Sequence, residues 1–451
     1  MSNLMLIFAA KLQIMERNLI KQLKSWKSKP GRRPLILQGA RQVGKTWLLK
    51  EFGRQCFEQV CYVNFEQDLP INHIFDHSLS PTDIIEQLSL FAKMAIKPKD
   101  TLIIFDEVQE VPRALTSLKY FAEDAPEYAI CCAGSLLGVA LHEGTSFPVG
   151  KVDFLRLEPL TFHEFLVANG DAMLAEYIAR GGMNLSAHWQ HLTEMLKRYL
   201  VIGGMPSVVQ IWLDSQDYRQ VNEEQNRLLM SYSNDFSKHA PGSLGAKIRY
   251  VWQSIPAQLA RENKKFVYGI VREGARAREY EDALLWLSDS GVIRMSYCVT
   301  KPDIPLKAYA NLSAFKVFLL DVGLLCAMSH LAPETILLGN RIFEEFKGAL
   351  TEQFALQELS QFSTLESNYY WTGAKAEVDF LLTDGMRVYP LEVKAGINTR
   401  AKSLSTYISK YNPVHAFRAS LSQPRTNREL IDFPLFAFST LPKLINQSTN
   451  R

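Results

Sequence analysis

Long hydrophobic runs are missing from this chain of 451 residues. No apolar stretch approaches the ~20 residues that a membrane-spanning helix needs, so no membrane partner is expected. The apolar run at residues 4–10 has no basic stretch before it and is followed by Lys11, which argues against a secretory leader. Charge of one sign is missing too. Fifty Lys and Arg stand against 47 Asp and Glu, a net charge of +3, so any basic footprint for a polyanion has to be local. Cysteine is scarce: Cys56, Cys61, Cys131, Cys132, Cys298 and Cys326, with no CxxC pair. That excludes a disulfide framework and a cysteine zinc site, and it fits a reducing cytoplasm. The nine histidines have no metal-type spacing, and His188 and His191 read as ordinary helix residues. Hydrophobic residues at 47% and charged residues at 22% describe a globular protein with sizeable cores. The length predicts two or three domains.

What is present is concentrated at residues 34–46. Pro34-Leu35-Ile36-Leu37-Gln38 reads as a buried strand, and Gly39-Ala40-Arg41-Gln42-Val43-Gly44-Lys45-Thr46 matches G-x-x-x-x-G-K-[ST], the phosphate-binding loop. The glycines let the backbone turn its N–H groups toward phosphate oxygens. Lys45 can reach the β- and γ-phosphates, and the Thr46 hydroxyl can ligate Mg²⁺. The helix that follows presents its positive end to the same anion. Residues 12–28 read as an amphipathic helix leading into this unit.

A second buried strand is expected at 60–66, a helix at 81–94, and a third strand at 101–107 that ends in Asp106 and Glu107. Carboxylates at the carboxyl edge of a parallel strand face the ligand crevice of an open α/β sheet. Asp106 is expected to hold the Mg²⁺ shell and Glu107 to polarise the attacking water. Ser135, at the tip of the strand 128–132, reads equally as a γ-phosphate sensor and as a helix cap.

Taken together, Gly39–Thr46, Asp106-Glu-Val-Gln109, Ala133-Gly-Ser135, Phe147-Pro-Val-Gly-Lys151 and Pro159-Leu-Thr-Phe-His-Glu-Phe165 resemble a prokaryotic AAA-type P-loop ATPase family with an uncharacterised C-terminal region. The resemblance runs from about residue 17 to 420 and implies binding of ATP with Mg²⁺, probable in that family to end in hydrolysis, on an α/β parallel-sheet core. It also implies a helical lid after that core and a winged-helix-like segment. Many relatives carry Arg where this chain has Lys151, and general AAA domains often have Asn where Ser135 stands. Arg113 and Arg156 are weaker candidates for an arginine finger. A homo-oligomer is one arrangement in which a neighbour would supply such a group.

The implied segments are 15–170 for the nucleotide core, 171–236 for the lid, 237–332 for the winged-helix-like part and 333–451 for the last domain. Between 238 and 278 there are nine Lys or Arg against Glu262 and Glu273, with Tyr250, Trp252, Phe266 and Tyr268 interleaved. That composition suits DNA or RNA phosphates, and it suits a solvated helix face over core aromatics as well. In the last segment, a helix over 341–362 carries Glu352. Strands follow at 369–371, 377–382 and 388–393, with an Asp384-Gly385 hairpin turn. Asp379, Glu392 and Lys394 can meet at one point, because side chains two apart share a strand face. The pattern resembles the PD-(D/E)XK nucleases, a restriction-endonuclease-like α/β fold, in which Asp379 and Glu392 would bind Mg²⁺ or Mn²⁺, Lys394 would orient a water and Glu352 would add a carboxylate. The acid-free stretch 395–428, with six Lys or Arg, favours a polyanion there. Three readings follow: an ATPase acting on nucleic acid, an ATP-regulated metal-dependent nuclease, and a nucleotide-gated binding switch with little turnover.

Overall fold

The computed structural model describes residues 15–134, 148, 150–261, 263–338, 344–396 and 402–449. The chain divides into two compact units. One comprises Arg17–Glu158 with Asp289–Val292; the other is mainly residues 159–288 and 293–451.

The first unit is built on five strands: β1 (Leu35–Gln38), β2 (Gln59–Asn64), β3 (Thr101–Asp106), β4 (Ala129–Ala133) and β5 (Asp153–Arg156). Their order is β2-β3-β4-β1-β5 and every pairing is parallel. β3 and β4 are buried along their whole length, the mark of a sheet covered on both faces. Four labelled helices belong to this unit: α1 (Leu19–Ser28), α2 (Lys45–Cys56), α3 (Pro81–Ala92) and α4 (Pro112–Asp124). The helix expected over 12–28 thus begins at Leu19, and residues 12–14 lie outside the described part. α2 buries Leu48, Leu49 and Phe52 and comes so close to β2 that a Cβ on Gly53 would sit 2.5 Å from a Val60 methyl. One core cluster holds Phe65, Phe75 and Phe105 with centroids 5.4–5.9 Å apart, packed with Ile84, Leu88, Leu115 and Leu118 from α3 and α4. The result is a rigid three-layer frame that brings the carboxyl ends of β1 and β3 to one edge.

The second unit begins with helices, including α5 (Phe162–Ala168), α6 (Trp189–Ile202), α7 (Tyr218–His239), α8 (Leu244–Leu259) and α9 (Ala277–Asp289). α5 opens with a capping box in which Thr161 and Glu164 satisfy each other's backbone N–H groups. Next come β6 (Ile293–Val299), β7 (Ala310–Leu319), α10 (Val322–Met328), α11 (Glu344–Leu359), β8 (Glu366–Thr372), β9 (Glu377–Thr383), β10 (Val388–Val393), α12 (Lys402–Tyr411), β11 (Ala416–Ser420), β12 (Arg425–Asn427), β13 (Leu430–Pro434) and α13 (Leu441–Thr449). All eight strands form one mixed sheet, β12-β13-β11-β10-β9-β8-β6-β7.

The four segments expected from the sequence are therefore cut differently. The β6–β7 hairpin, within the segment expected to be winged-helix-like, joins the later strands by parallel pairing of Tyr297–Val299 with Tyr369–Trp371. Strands on both sides of residue 333 share a sheet, so the 332/333 boundary falls within one unit. The Gly203-Gly204 break ends α6 by close approach: Gly203 has φ +76, and a Cβ there would lie 2.1 Å from Asp321 Oδ1. Asp321 accepts from Gly204 N at 2.6 Å and caps α10 by accepting from Leu324 N at 3.0 Å. Among the described residues, no helix is long and apolar enough to cross a membrane.

Candidate functional site

The loop between β1 and α2 needs its glycines. Gly39 has φ +147, and a Cβ there would lie 2.4 Å from the Leu157 carbonyl oxygen. Gly44 has φ +93 at the start of α2, and Gln42 adopts φ +64 between them. Lys45 is buried. Its Nζ donates to Gly39 O at 2.9 Å and Ala40 O at 2.8 Å, so the ammonium lies inside the curl of Gly39, Ala40, Arg41, Gln42, Val43 and Gly44. Burial pulls the Lys45 pKa down to about 8, against the opposing pull of Glu107 and Asp106. A phosphate beside this buried ammonium would favour its charged form.

Thr46 and Asp106 meet directly: Thr46 Oγ1 donates to Asp106 Oδ2 at 2.8 Å. The same oxygen accepts from the Tyr62 hydroxyl at 2.9 Å, and Asp106 Oδ1 accepts from the Glu107 backbone N–H at 3.1 Å. Burial, with the Asp106 carboxylate adding to it and the Asn64 hydrogen bond opposing it, pushes Tyr62 up to about 12, so it stays a donor. A hydroxyl and a carboxylate in contact at a loop that can take phosphates are hard oxygen donors of the kind Mg²⁺ prefers. Glu107 follows with left-handed backbone, φ +51, and its Oε2 accepts from Gln109 Nε2 at 2.7 Å. Ser135 lies outside the described residues. Of the basic candidates, Lys151 pairs with Glu123 at 2.8 Å, Arg156 with Glu158 at 2.9 Å, and Arg113 donates to Phe75 O at 2.6 Å.

The second expected site is assembled in the mixed sheet. Asp379 on β9, Glu392 on β10, Lys394 just after it and Glu352 on α11 are brought together, and Glu377 on β9 joins them. Lys394 Nζ lies 2.5 Å from Glu392 Oε1, and Asp379 Oδ2 accepts from Val393 N at 2.8 Å. Glu352 is held from both sides, Oε1 by Lys264 at 2.5 Å and Oε2 by Lys316 at 3.4 Å. Lys316, on β7 and 1% exposed, also reaches Glu377 Oε1 at 2.6 Å. Burial alone would lower the Lys316 pKa, but Glu352, Glu377 and Asp379 outweigh it and hold the ammonium charged. Asp379 is pushed well above the usual carboxylate range by desolvation and by Glu392 and Glu352. Glu392 Oε2 is buried with no hydrogen-bond partner. Among the described residues, no group of three or more His, Cys, Asp or Glu is arranged to hold a metal ion. Both oxygens of Glu352 and one oxygen each of Glu377 and Glu392 face ammonium groups instead.

With this geometry in view, comparisons with known proteins bear on the first site. Residues 31–166 match the family described as AAA domain. These residues are similar to an AAA-type P-loop domain. Residues 193–335 and 347–434 match two families each described as a domain of unknown function, DUF8612 and DUF4143. No curated protein matches the chain. Among solved structures, similarity is found to the Walker-type ATPase PABY2304 of Pyrococcus abyssi, with 15% identity and a TM-score of 0.43 over 70% of this chain and 96% of that one. The Aeropyrum pernix ORC1 protein in complex with DNA is similar at 13% identity and a TM-score of 0.27, over 70% and 91%. AMPPCP-bound DnaA from Aquifex aeolicus follows at 14% and 0.24, over 58% and 74%.

Five residues to which the motif reading gave no role also support the site. Tyr62 braces Asp106, and Lys50 lies 3.5 Å over the Tyr62 ring. Asn64 donates to the Tyr62 hydroxyl at 3.3 Å. Gln109 holds Glu107. Arg17 is buried, donates to Val43 O at 3.0 Å and also bonds the Glu158 carbonyl, tying the loop to the end of β5. Tyr62 and Asn64 lie two apart on β2, and the folded sheet sets Asn64 in register with Asp106. Nothing in the sequence marks Arg17.

Proposed function

We propose that the AAA domain binds ATP with Mg²⁺ and hydrolyses it, and that its nucleotide state governs nucleic-acid-facing parts of the rest of the chain. The observation that carries the first half is the Thr46–Asp106 hydrogen bond at 2.8 Å. It joins loop and strand, 60 positions apart, beside a lysine already aimed into the loop. Lys45 would exchange two carbonyl partners for phosphate oxygens, which explains why a buried ammonium is retained. Thr46 and Asp106 are the residues that would hold Mg²⁺, which when bound offsets phosphate charge. Glu107 would orient and deprotonate the attacking water, with Gln109 fixing its carboxylate. A homo-oligomer, in which a neighbouring copy supplies a basic residue, belongs to the same proposal, because Lys151, Arg113 and Arg156 are engaged within their own chain.

The test is steady-state ATP hydrolysis by Lys45→Ala and Glu107→Gln. A loss of about tenfold or more is expected in each, the scale of a single electrostatic contributor. Undiminished turnover in both would overturn the reading.

Support for the nucleic-acid half is the exposure of Lys238, Arg249, Arg261, Lys265, Arg272, Arg276 and Arg278. Other residues of the basic stretches serve elsewhere. Lys264 turns inward to Glu352, Trp252 and Phe266 are core residues, and Arg418 of the 395–428 stretch pairs with Asp432 at 2.8 Å. The nucleotide-gated switch would show as ATP-dependent partner binding with turnover near background. The ATP-regulated nuclease is opposed by the lysines paired with its carboxylates.

A further inference from the structure

We infer that Lys316, assisted by Lys264 and Lys394, is a built-in cation occupying the role of a divalent metal among the carboxylates of the mixed sheet. The centre is a closed ion-pair cluster that takes up no metal.

Four carboxylates converge: Glu352, Glu377, Asp379 and Glu392. Isolated buried carboxylates are costly, so they must be protonated, paired or metal-bound. Three ammonium groups meet them, and each is within ion-pair distance of at least one carboxylate. Mg²⁺ requires its oxygens at about 2.0–2.1 Å in a near-octahedral shell. Here Glu352 has an ammonium on each oxygen, and Glu377 and Glu392 each give one oxygen to a lysine. A divalent ion would have to displace those ammoniums or sit against them.

Displacement is blocked for Lys316. The side chain leaves β7 inside the sheet, its ammonium lies 4.8 Å over the Tyr370 ring, and only 1% of it is exposed. It cannot swing to solvent as a surface lysine does. Lys394 differs, since its side chain is 34% exposed and bound to one carboxylate. A nuclease-type lysine has to be free to meet a water, whereas this one neutralises Glu392. The fourth carboxyl, Asp379, spends one oxygen on the Val393 N–H. The remaining Glu392 oxygen is the one polar atom of the cluster left buried and bare, consistent with three ammoniums facing four acids.

The experiment counts bound Mn²⁺ by electron paramagnetic resonance in the nucleotide-free full-length protein. Four forms are compared: the native chain, Asp379→Asn, Lys316→Met and the Lys316→Met/Asp379→Asn double variant. The native chain and Asp379→Asn should bind Mn²⁺ alike. Lys316→Met should gain about one ion per chain, bound through carboxylate oxygens, and lose it again in the double variant. Mn²⁺ should also raise the melting temperature of Lys316→Met only. Native binding that disappears in Asp379→Asn would overturn the inference. So would a folded Lys316→Met without an Asp379-dependent ion. Should Lys316→Met fail to fold, as breaking a buried pair can cause, the native and Asp379→Asn comparison still decides. None of these outcomes depends on ATP hydrolysis.

Discussion

Glu107 occupies left-handed backbone, φ +51 and ψ 44, where a residue with a Cβ is uncommon and strained. The strain sets the carboxylate beyond the end of β3, and the Gln109 amide then fixes its direction. Gln109 itself keeps a buried carbonyl oxygen with no partner, a cost that a positioning role would explain. On the proposed ATPase reading, Gln109→Ala should lower kcat about tenfold through lost orientation, while KM for ATP changes little. Steady-state kinetics separates the two parameters; a matched rise in KM would show that Gln109 acts on binding instead. At this scale the contiguous parts of the site were readable. Gly39 to Thr46 and Asp106-Glu107 carry their chemistry in adjacent letters. Tyr62 and Gln109 do not, because a tyrosine in a strand and a glutamine in a 3₁₀ turn are ordinary until Asp106 and Glu107 are placed beside them. Lys316 was hidden for a different reason. It stands in Ala-Phe-Lys-Val-Phe, where an alternating strand would show a lysine as the solvent face, and only the folded sheet buries it.

Among the elements, α11 departs furthest from a simple amphipathic reading. It buries Thr351, Glu352, Gln353, Gln357 and Glu358 along with Leu350, Phe354 and Leu359. Its polar residues serve backbone groups of other elements. Gln353 accepts from Leu319 N at 2.9 Å and donates to Leu319 O at 2.7 Å, completing the open edge of β7. Gln357 accepts from Val322 N and donates to Asp321 and the Tyr199 hydroxyl. Glu358 accepts from Phe162 N at 2.8 Å at the start of α5. A helix that buries hydrogen-bonding groups on most faces has no clean apolar stripe to read. Burial pushes Glu358 up to about 8, Glu164 adding to the effect and the Phe162 N–H opposing it. The sign follows from proton counting. Between the unfolded value near 4.5 and the folded value near 8, the native state holds a proton that the unfolded chain has released. The stability that Glu358 contributes is therefore full below about 4.5 and is lost as pH rises to about 8, by up to about 1.4 kcal/mol per pH unit. Glu358→Gln keeps the shape without the titration. Urea unfolding from pH 5 to 8 should find the native chain losing stability relative to this variant; parallel curves would refute the assignment. The helix and the strand–hairpin–strand run were both legible, but the parallel pairing of β6 with β8 was not. It links positions some 70 residues apart, and no local pattern encodes such a partner.

For the whole molecule, composition and motif spacing indicated an α/β nucleotide core followed by a further α/β region, and both are present. The placement of boundaries was not legible. The chain passes between its two units at 16/17, 158/159, 288/289 and 292/293, and Ser290-Gly291 reads in the sequence as an ordinary turn rather than as a return to the first unit. The adjacent thiols of Cys131 and Cys132 lie on β4, the middle strand of the five, and both are fully buried. Burial raises both well above the ordinary thiol range, so almost no thiolate exists to react while the sheet is closed. Alkylation of these two sulfurs then proceeds only through chains that have opened the middle of the sheet. Their labelling half-time, read by mass spectrometry against partly exposed Cys56, is an internal stopwatch for that opening. A ligand bound only by the closed form slows the stopwatch in proportion to its occupancy. ATP at a hundred times its dissociation constant should lengthen the half-time about a hundredfold. The same ATP should leave the labelling of Cys56 nearly untouched, so one peptide map would report affinity without any measurement of turnover.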